Sequence, residues 1–150
     1  MLSCSCSAAS ERGRRPPRDV KSFKEAFVIA LLMSTLYLIF LGHRTDYVGH
    51  AIAGFGGTAI LLVILFRLNP SPSVWKQLWI VLAAIGIGAV AEATIFKIAK
   101  FDPVDFNNQS IGACLAGCCA VRTRWPKESF DFIITVSGLF IIAGFVLGHM

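Results

Sequence analysis

The stretch "RTDYVGHAIAGFGGTAILLVILFRL", residues 44–68, decides the fold class of this chain. From Ala51 to Phe66 it contains no charged residue and consists mainly of apolar side chains. About 20 such residues are enough for an α-helix to cross a bilayer. The stretch nevertheless begins with Asp46 and His50, which are four residues apart and therefore share one helix face. We predict a membrane helix over residues 46–68 whose first turns carry a polar face.

The composition of the whole chain also indicates a membrane protein. Its 150 residues are 55% hydrophobic and 15% charged, whereas a soluble domain carries about 25% charged residues. The charges cluster between long apolar runs, which leaves no room for a large domain outside the membrane. We predict an all-α, polytopic integral membrane helix bundle with about five transmembrane helices. The predicted helices cover residues 23–41, 46–68, 74–99, 103–121 and 130–148.

Residues 1–22 are predicted to form a disordered basic tail in the cytoplasm, and residues 23–150 a single membrane domain. Two adjacent prolines, Pro16 and Pro17, disfavour a helix in this tail. A cleaved signal peptide is the alternative for the apolar segment that follows. The run Ala26–Leu41 is long for a signal peptide, and "GHRTD" after it offers no small-residue cleavage site.

The distribution of Lys and Arg predicts the orientation in the membrane. With the N-terminus inside, 11 of the 14 basic residues lie in inner segments, and only Arg44, Lys97 and Lys100 lie in outer ones. Inner loops are enriched in basic residues, so we predict an N-inside, C-outside, multi-pass protein of the inner (cytoplasmic) membrane. If the fourth segment were re-entrant, 8 basic residues would lie in inner segments and 6 in outer ones, which is a weaker difference. The basic residues flank apolar segments without interleaved aromatics, which argues against nucleic acid as a partner.

The fourth predicted helix depends on reading "FDPVDFNNQ", residues 101–109, as its beginning. The apolar part alone, Ile111–Val121, is too short to span. Asp102 is suited to the N-cap, Pro103 to the first helical position and Asp105 to the third. Counted from Pro103, the helix has about 19 residues, which is enough to cross a bilayer.

Polar side chains from three predicted helices fall near the outer end of the bundle. They are Asp46, His50, Glu92, Asp105, Asn108 and Gln109. Ionisable residues inside a membrane usually face the bundle interior and find partners. Glu92 has no opposite charge three or four residues away, so we predict a partner on another helix, with His50 as the candidate. The structural alternatives are that Asp46 is an N-cap, that Asp105 is a first-turn acid and that His50 is a buried polar group.

Small residues recur at a spacing of four in three helices. They are Gly49, Ala53 and Gly57, then Ala113 and Gly117, then Gly144 and Gly148. This spacing lets helices approach closely. We favour packing within one chain, and a homo-oligomer through these faces is the alternative.

The five cysteines give no sign of a disulfide framework, because their number is odd. Cys114 and Cys118 share a helix face within an apolar run, and we interpret them as small buried hydrophobic residues. No His lies at the usual metal-ligand spacing from any Cys. We therefore predict neither a metal nor a cofactor.

These positions together resemble the VanZ-like family of small bacterial membrane proteins. In outline, that family has an Asp and a His four residues apart at the start of one helix and a Glu near the end of the next. A basic residue, an Asp and a polar amide with glycines then follow. The corresponding segments here are "DYVGH", "GAVAEATIF" and "KFDPVDFNNQSIGACLAG", in which Lys100 is the basic residue. The resemblance covers roughly residues 46–117 and implies an envelope-facing role without a defined reaction.

Four functions compete at this stage, and whether the protein is an enzyme stays open. The first is an outward-facing site that binds an envelope lipid or a cell-wall precursor. The second is a metal-assisted membrane hydrolase or transferase, since one His and three carboxylates are suitable ligands. The third is a proton or ion pathway, since acids and histidines inside a membrane can relay protons. The fourth is a structural or assembly protein whose polar cluster only locks the bundle.

Overall fold

The computed structural model describes residues 21–40, 44–94, 102–122 and 130–148, and every regular element within these ranges is an α-helix. The helices are α1 (Lys21–Phe40), α2 (Thr45–Leu68), α3 (Val74–Thr94), α4 (Pro103–Arg122) and α5 (Phe130–Gly148). The all-α prediction is confirmed for these residues, and α2, α4 and α5 lie within one residue of their predicted bounds. α1 begins two residues before its predicted start, within the predicted tail. Residues 1–20, and residues 95–99 of the predicted third helix, lie outside the described ranges.

Three of the described helices, α2, α3 and α5, are long and apolar enough to cross a membrane. The outward surface of α3 is apolar: Trp75 is 72% exposed and Trp79 is 68% exposed. Large apolar side chains are also exposed along α5. Apolar surface of this extent is typical of contact with lipid or a partner rather than with water. The chain is therefore a membrane protein.

α2 is the central helix of the bundle, because it packs most extensively against both α4 and α5. Its side chains Phe55, Leu62 and Val63 are at most 1% exposed and lie in the hydrophobic core. On α5, the ring of Phe140 lies edge-on to Phe55, with the ring centroids 5.8 Å apart. The same Phe140 ring stacks on Phe27 of α1 at 4.8 Å. One aromatic cluster thus ties α1, α2 and α5 together.

The contacts of α2 define the direction of its neighbours. α5 runs antiparallel to α2, because Arg67 near the end of α2 donates a 2.7 Å hydrogen bond to Asp131 at the start of α5. α4 runs parallel to α2, because His50 and Asp105 near the two helix starts are in contact, and Phe66 and Ala120 near the two helix ends belong to one core cluster. The start of α2, the end of α3, the start of α4 and the end of α5 therefore meet at one end of the bundle, which we call the polar end.

Glycines allow the close approach of α2 to its neighbours. A methyl group added at Gly49 would lie 2.6 Å from the carbonyl oxygen of Gly144, and one added at Gly54 would overlap the backbone of Gln109. Packing of small residues within the chain is thus confirmed at Gly49 and Gly144, whereas Gly54 was not among the predicted positions. At Gly57 and Gly148 an added methyl group would meet no described atom within 4 Å, so these two glycines are not needed for packing between the described helices.

The helix starts at the polar end differ in their capping. The predicted cap of α4 is confirmed, because the backbone N–H of Val104 donates a 2.8 Å hydrogen bond to Asp102 Oδ1. The alternative reading of Asp46 as an N-cap is wrong. α2 begins one residue earlier, at Thr45, and its N-cap position is Arg44, which makes no side-chain capping bond. Asp46 lies instead in the first turn, where a negative charge is favourable to the helix dipole.

Candidate functional site

A cavity of about 350 Å³ lies at the polar end and is lined by residues of α2, α3, α4 and α5. Its polar lining consists of Asp46, His50, Glu92, Asp105 and Gln109. The rest of the lining is glycine, alanine and two larger apolar side chains of α5. Five of the seven candidate residues proposed from the sequence therefore surround one space. This convergence follows from the packing of α2 with α4 and with the end of α3.

His50 lies opposite Asp105 rather than Glu92. The distance from His50 Nε2 to Asp105 Oδ2 is 3.6 Å, so the two form an ion pair when the imidazole is protonated. Their side chains are 22% and 14% exposed. The predicted pairing of His50 with Glu92 is not what the structure shows. The reason is the parallel contact of α2 with α4, which brings the first turns of these two helices together.

Glu92 is the most deeply buried acid of the cavity, at 6% exposure. It lies on α3 near the helix end and lines the cavity. No described residue forms a hydrogen bond or an ion pair with its carboxylate. Burying a charged or polar group without a partner is costly. Glu92 is therefore a group whose hydrogen-bonding capacity is available to something inside the cavity.

Asp105 also offers a free acceptor. Its Oδ2 faces His50, whereas its Oδ1 is buried and has no hydrogen-bond partner among the described residues. The carboxylate is held in place by the first turn of α4, whose cap at Asp102 orients the helix start. Two acids, one from α3 and one from α4, thus line the cavity, and described residues use neither to its full hydrogen-bonding capacity.

Gln109 owes its position to two glycines that sequence reasoning did not connect with it. Its backbone lies against Gly54 of α2, and its side-chain amide lies against Gly88 of α3. A methyl group at either glycine would overlap Gln109. The signal in the sequence was the glycine within each apolar helix, but spacing alone does not identify the residue that fills the space.

Asn108 does not line the cavity, although the sequence made it a candidate. It is 4% exposed, and its Oδ1 accepts a 3.2 Å hydrogen bond from the hydroxyl of Tyr37 on α1. Its Nδ2 is buried and has no described partner. Asn108 thus connects α1 with α4 beside the site, and Tyr37 is a contributor that the sequence analysis missed. The remaining candidate, Lys100, lies outside the described residues.

Arg44 lies at the rim of the cavity. Its guanidinium is 3.2 Å from Asp46 Oδ2, 4.0 Å from Asp102 Oδ2 and 4.0 Å from the ring centroid of Tyr47. The hydrogen bond to Asp46 is the main cause that raises the pKa of Arg44 above its ordinary value. Arg44 therefore compensates the charge of Asp46. It has no described contact with the deeper acids.

The acids and the cysteines give no metal site in the described part of the chain. No group of three or more His, Cys, Asp or Glu residues there is arranged to hold a metal ion. The prediction that Cys114 and Cys118 are buried was wrong, because both are exposed, whereas Cys119 is buried. Both lie on the side of α4 that borders a second groove with α1 and α3. In that groove α4 is not covered by another helix, which explains their exposure.

No family model, curated protein or solved structure matches this chain. The resemblance to the VanZ-like family stays a prediction.

Proposed function

We propose that this chain is a VanZ-like membrane protein whose polar cavity binds the head group of an envelope lipid or a cell-wall precursor. The observation that carries the proposal is Glu92, because this acid is a residue at 6% exposure, has no described partner and lines a cavity of about 350 Å³. Ionisable groups inside membrane proteins are expensive, and they commonly mark functional sites. A ligand that donates hydrogen bonds to Glu92 would offset this cost when it binds.

The proposal includes five spans in the inner membrane, with the N-terminus inside and the polar end at the outer face. Eleven of the 14 basic residues support this orientation. α1 and α4 are each 20 residues long, close to the length that a span requires. α4 accompanies α2 from the polar end to the core around Ala116 and Ala120, whereas a re-entrant segment would turn back.

A structural role for the polar cluster is the second candidate. The observation in its favour is the His50–Asp105 contact of 3.6 Å, which connects α2 with α4. This contact does not involve Glu92, so it does not explain why a buried acid without a described partner lines the cavity. The metal-assisted hydrolase lacks such support, since the described residues offer no group of three metal ligands.

The test is to fill the cavity without changing its charge. Ala91 lines the cavity on α3, whereas Ala93 on the same helix is exposed and does not line it. Wild-type protein, Ala91→Leu and Ala93→Leu would be purified in mild detergent, and the lipids retained would be identified by native mass spectrometry. We expect wild type and Ala93→Leu to retain a lipid enriched over the bulk membrane, and folded Ala91→Leu to lose it. Equal retention by all three would refute the proposal.

A further inference from the structure

The charges that line the cavity are predominantly negative. Asp46, Glu92 and Asp105 contribute carboxylates, and no Lys or Arg is among the described lining residues. Arg44 compensates Asp46 at the rim, which leaves the two deeper acids facing the cavity with one imidazole. A phosphate or another anionic group placed there would meet repulsion that the poorly solvated surroundings screen weakly.

The two deeper acids offer hydrogen-bond acceptors. Asp105 Oδ1 is buried without a described partner, and Glu92, a residue that is 6% exposed, lines the cavity. An ionised carboxylate can only accept hydrogen bonds. The group that complements this site must therefore donate several hydrogen bonds, and a positive charge would add to its binding.

We propose that the cavity is specific for a primary ammonium group, carried by the head group of a lipid such as an ethanolamine phospholipid. This inference rests on the proposed function and specifies its ligand class. A primary ammonium offers three N–H donors on a compact positive charge, so it can bond to Glu92 while it lies beside the carboxylate of Asp105, which also lines the cavity. A trimethylammonium group carries the same charge but has no donor, and such groups are usually bound by aromatic cages. Phe145 is the one aromatic side chain among the described lining residues.

The rim of the cavity favours a lipid over a soluble amine as the source of this ammonium. Ile141 and Phe145 line the cavity from α5 and are 36% and 61% exposed. Both belong to the apolar outer surface of a helix that is able to cross the membrane. A head group in the cavity would therefore leave its acyl chains beside apolar side chains of α5, within the lipid phase.

The inference is tested with the full chain in detergent and three phospholipids that share six-carbon acyl chains. Their head groups are ethanolamine, choline and glycerol, which differ in charge and in hydrogen-bond donors. Native mass spectrometry gives a Kd for each lipid, and glycerophosphoethanolamine, which has no acyl chains, serves as a competitor. The variants are Glu92→Gln and the matched control Glu25→Gln, which makes the same chemical change at an exposed position outside this cavity.

We expect wild-type protein to bind the ethanolamine lipid about ten- to a hundredfold more tightly than the other two lipids, as for hydrogen bonds to charged groups. Glu92→Gln is expected to lose most of this preference, and Glu25→Gln to keep it. The comparison of lipids on wild-type protein stands even if Glu92→Gln does not fold.

The outcomes separate the two proposals. Binding of none of the three lipids would overturn head-group binding itself. Equal binding of all three, or a preference for choline or glycerol, would overturn the ammonium inference while head-group binding stands. Competition by glycerophosphoethanolamine at the same Kd as the lipid would show a soluble amine as the ligand and overturn the assignment to a lipid.

Discussion

Replacing Glu92 by Gln separates a site kept for binding from a bond that holds two helices together. The substitution preserves the size of the side chain and removes its charge. In the structure Glu92 is 6% exposed and has no hydrogen-bond or ion-pair partner among the described residues. It therefore bears the cost of burial without a compensating contact. We expect Glu92→Gln to be more stable than wild type.

The expected gain in the free energy of unfolding depends on how deeply Glu92 is buried and on its contact with the cavity. Replacing a buried ion pair by well-packed hydrophobic residues is often neutral or stabilises a protein by about 1–4 kcal/mol, and glutamine removes the charge of Glu92 but keeps a polar group. The carboxylate of Glu92 faces a cavity rather than the packed core, so we expect the lower part of this range, about 1–2 kcal/mol. For a chain of this length, each kcal/mol corresponds to about 2–4 °C in Tm. The expected rise in Tm is thus about 2–8 °C.

The assay is thermal unfolding of purified wild-type protein, Glu92→Gln and Glu25→Gln in one detergent at one pH. Glu25 is exposed on α1, so its replacement should change stability by less than about 0.5 kcal/mol. A loss of about 3–5 kcal/mol in Glu92→Gln would contradict the reasoning, because losses of that size accompany the breaking of a satisfied buried pair. The structural role of the polar cluster would then be the better explanation.

Three further predictions concern packing, hydrogen bonding and topology. Gly54→Ala should lower the free energy of unfolding by about 1–3 kcal/mol through overpacking. Gly57→Ala on the same helix has open space around it and should raise the free energy of unfolding by about 0.5–1 kcal/mol. Similar effects of both variants in thermal unfolding would contradict the close contact at Gly54. Tyr37→Phe should lose about 1 kcal/mol in the same assay, because a buried amide loses its donor, and an unchanged Tm would argue against this bond. The proposed orientation places Asn107 near the outer face and Ser71 in an inner loop. In a cysteine-free background in intact cells, a membrane-impermeant maleimide should therefore label Asn107→Cys but not Ser71→Cys. The reverse pattern would contradict the N-inside orientation.

The helices were predictable because the physics that forms them is local. Apolar runs of sufficient length, proline-containing breaks and the Asp102 cap are all visible in the sequence, and α5 begins and ends where they indicate. The meeting of Asp46, His50 and Glu92 at one depth was also predictable, because the order of antiparallel spans determines which helix ends lie together. For these features, sequence position translates directly into height along the bundle.

The partners within the site were not predictable, because they depend on the rotation of each helix about its own axis. The choice of Asp105 rather than Glu92 as the neighbour of His50 follows from how α2 and α4 pack. The same rotation turns Asn108 towards Tyr37 and away from the cavity. Glycine contacts set these rotations, and one sequence shows the glycines without showing which backbone approaches them.

Gln109 contributes to helix packing through its backbone and to the cavity through its side-chain amide. Two glycines allow these contributions to be tested separately. At Gly54 an added methyl group would meet the backbone of Gln109, which cannot move without α4. At Gly88 it would meet the far end of the Gln109 side chain, which can rotate away. Gly88→Ala should therefore change lipid binding, because it displaces the amide that lines the cavity. Its Tm should be close to that of the control Gly86→Ala, because the space around Gly86 is open. A Gly88→Ala protein as unstable as Gly54→Ala would show instead that the amide is held as firmly as the backbone and belongs to the packing of the bundle.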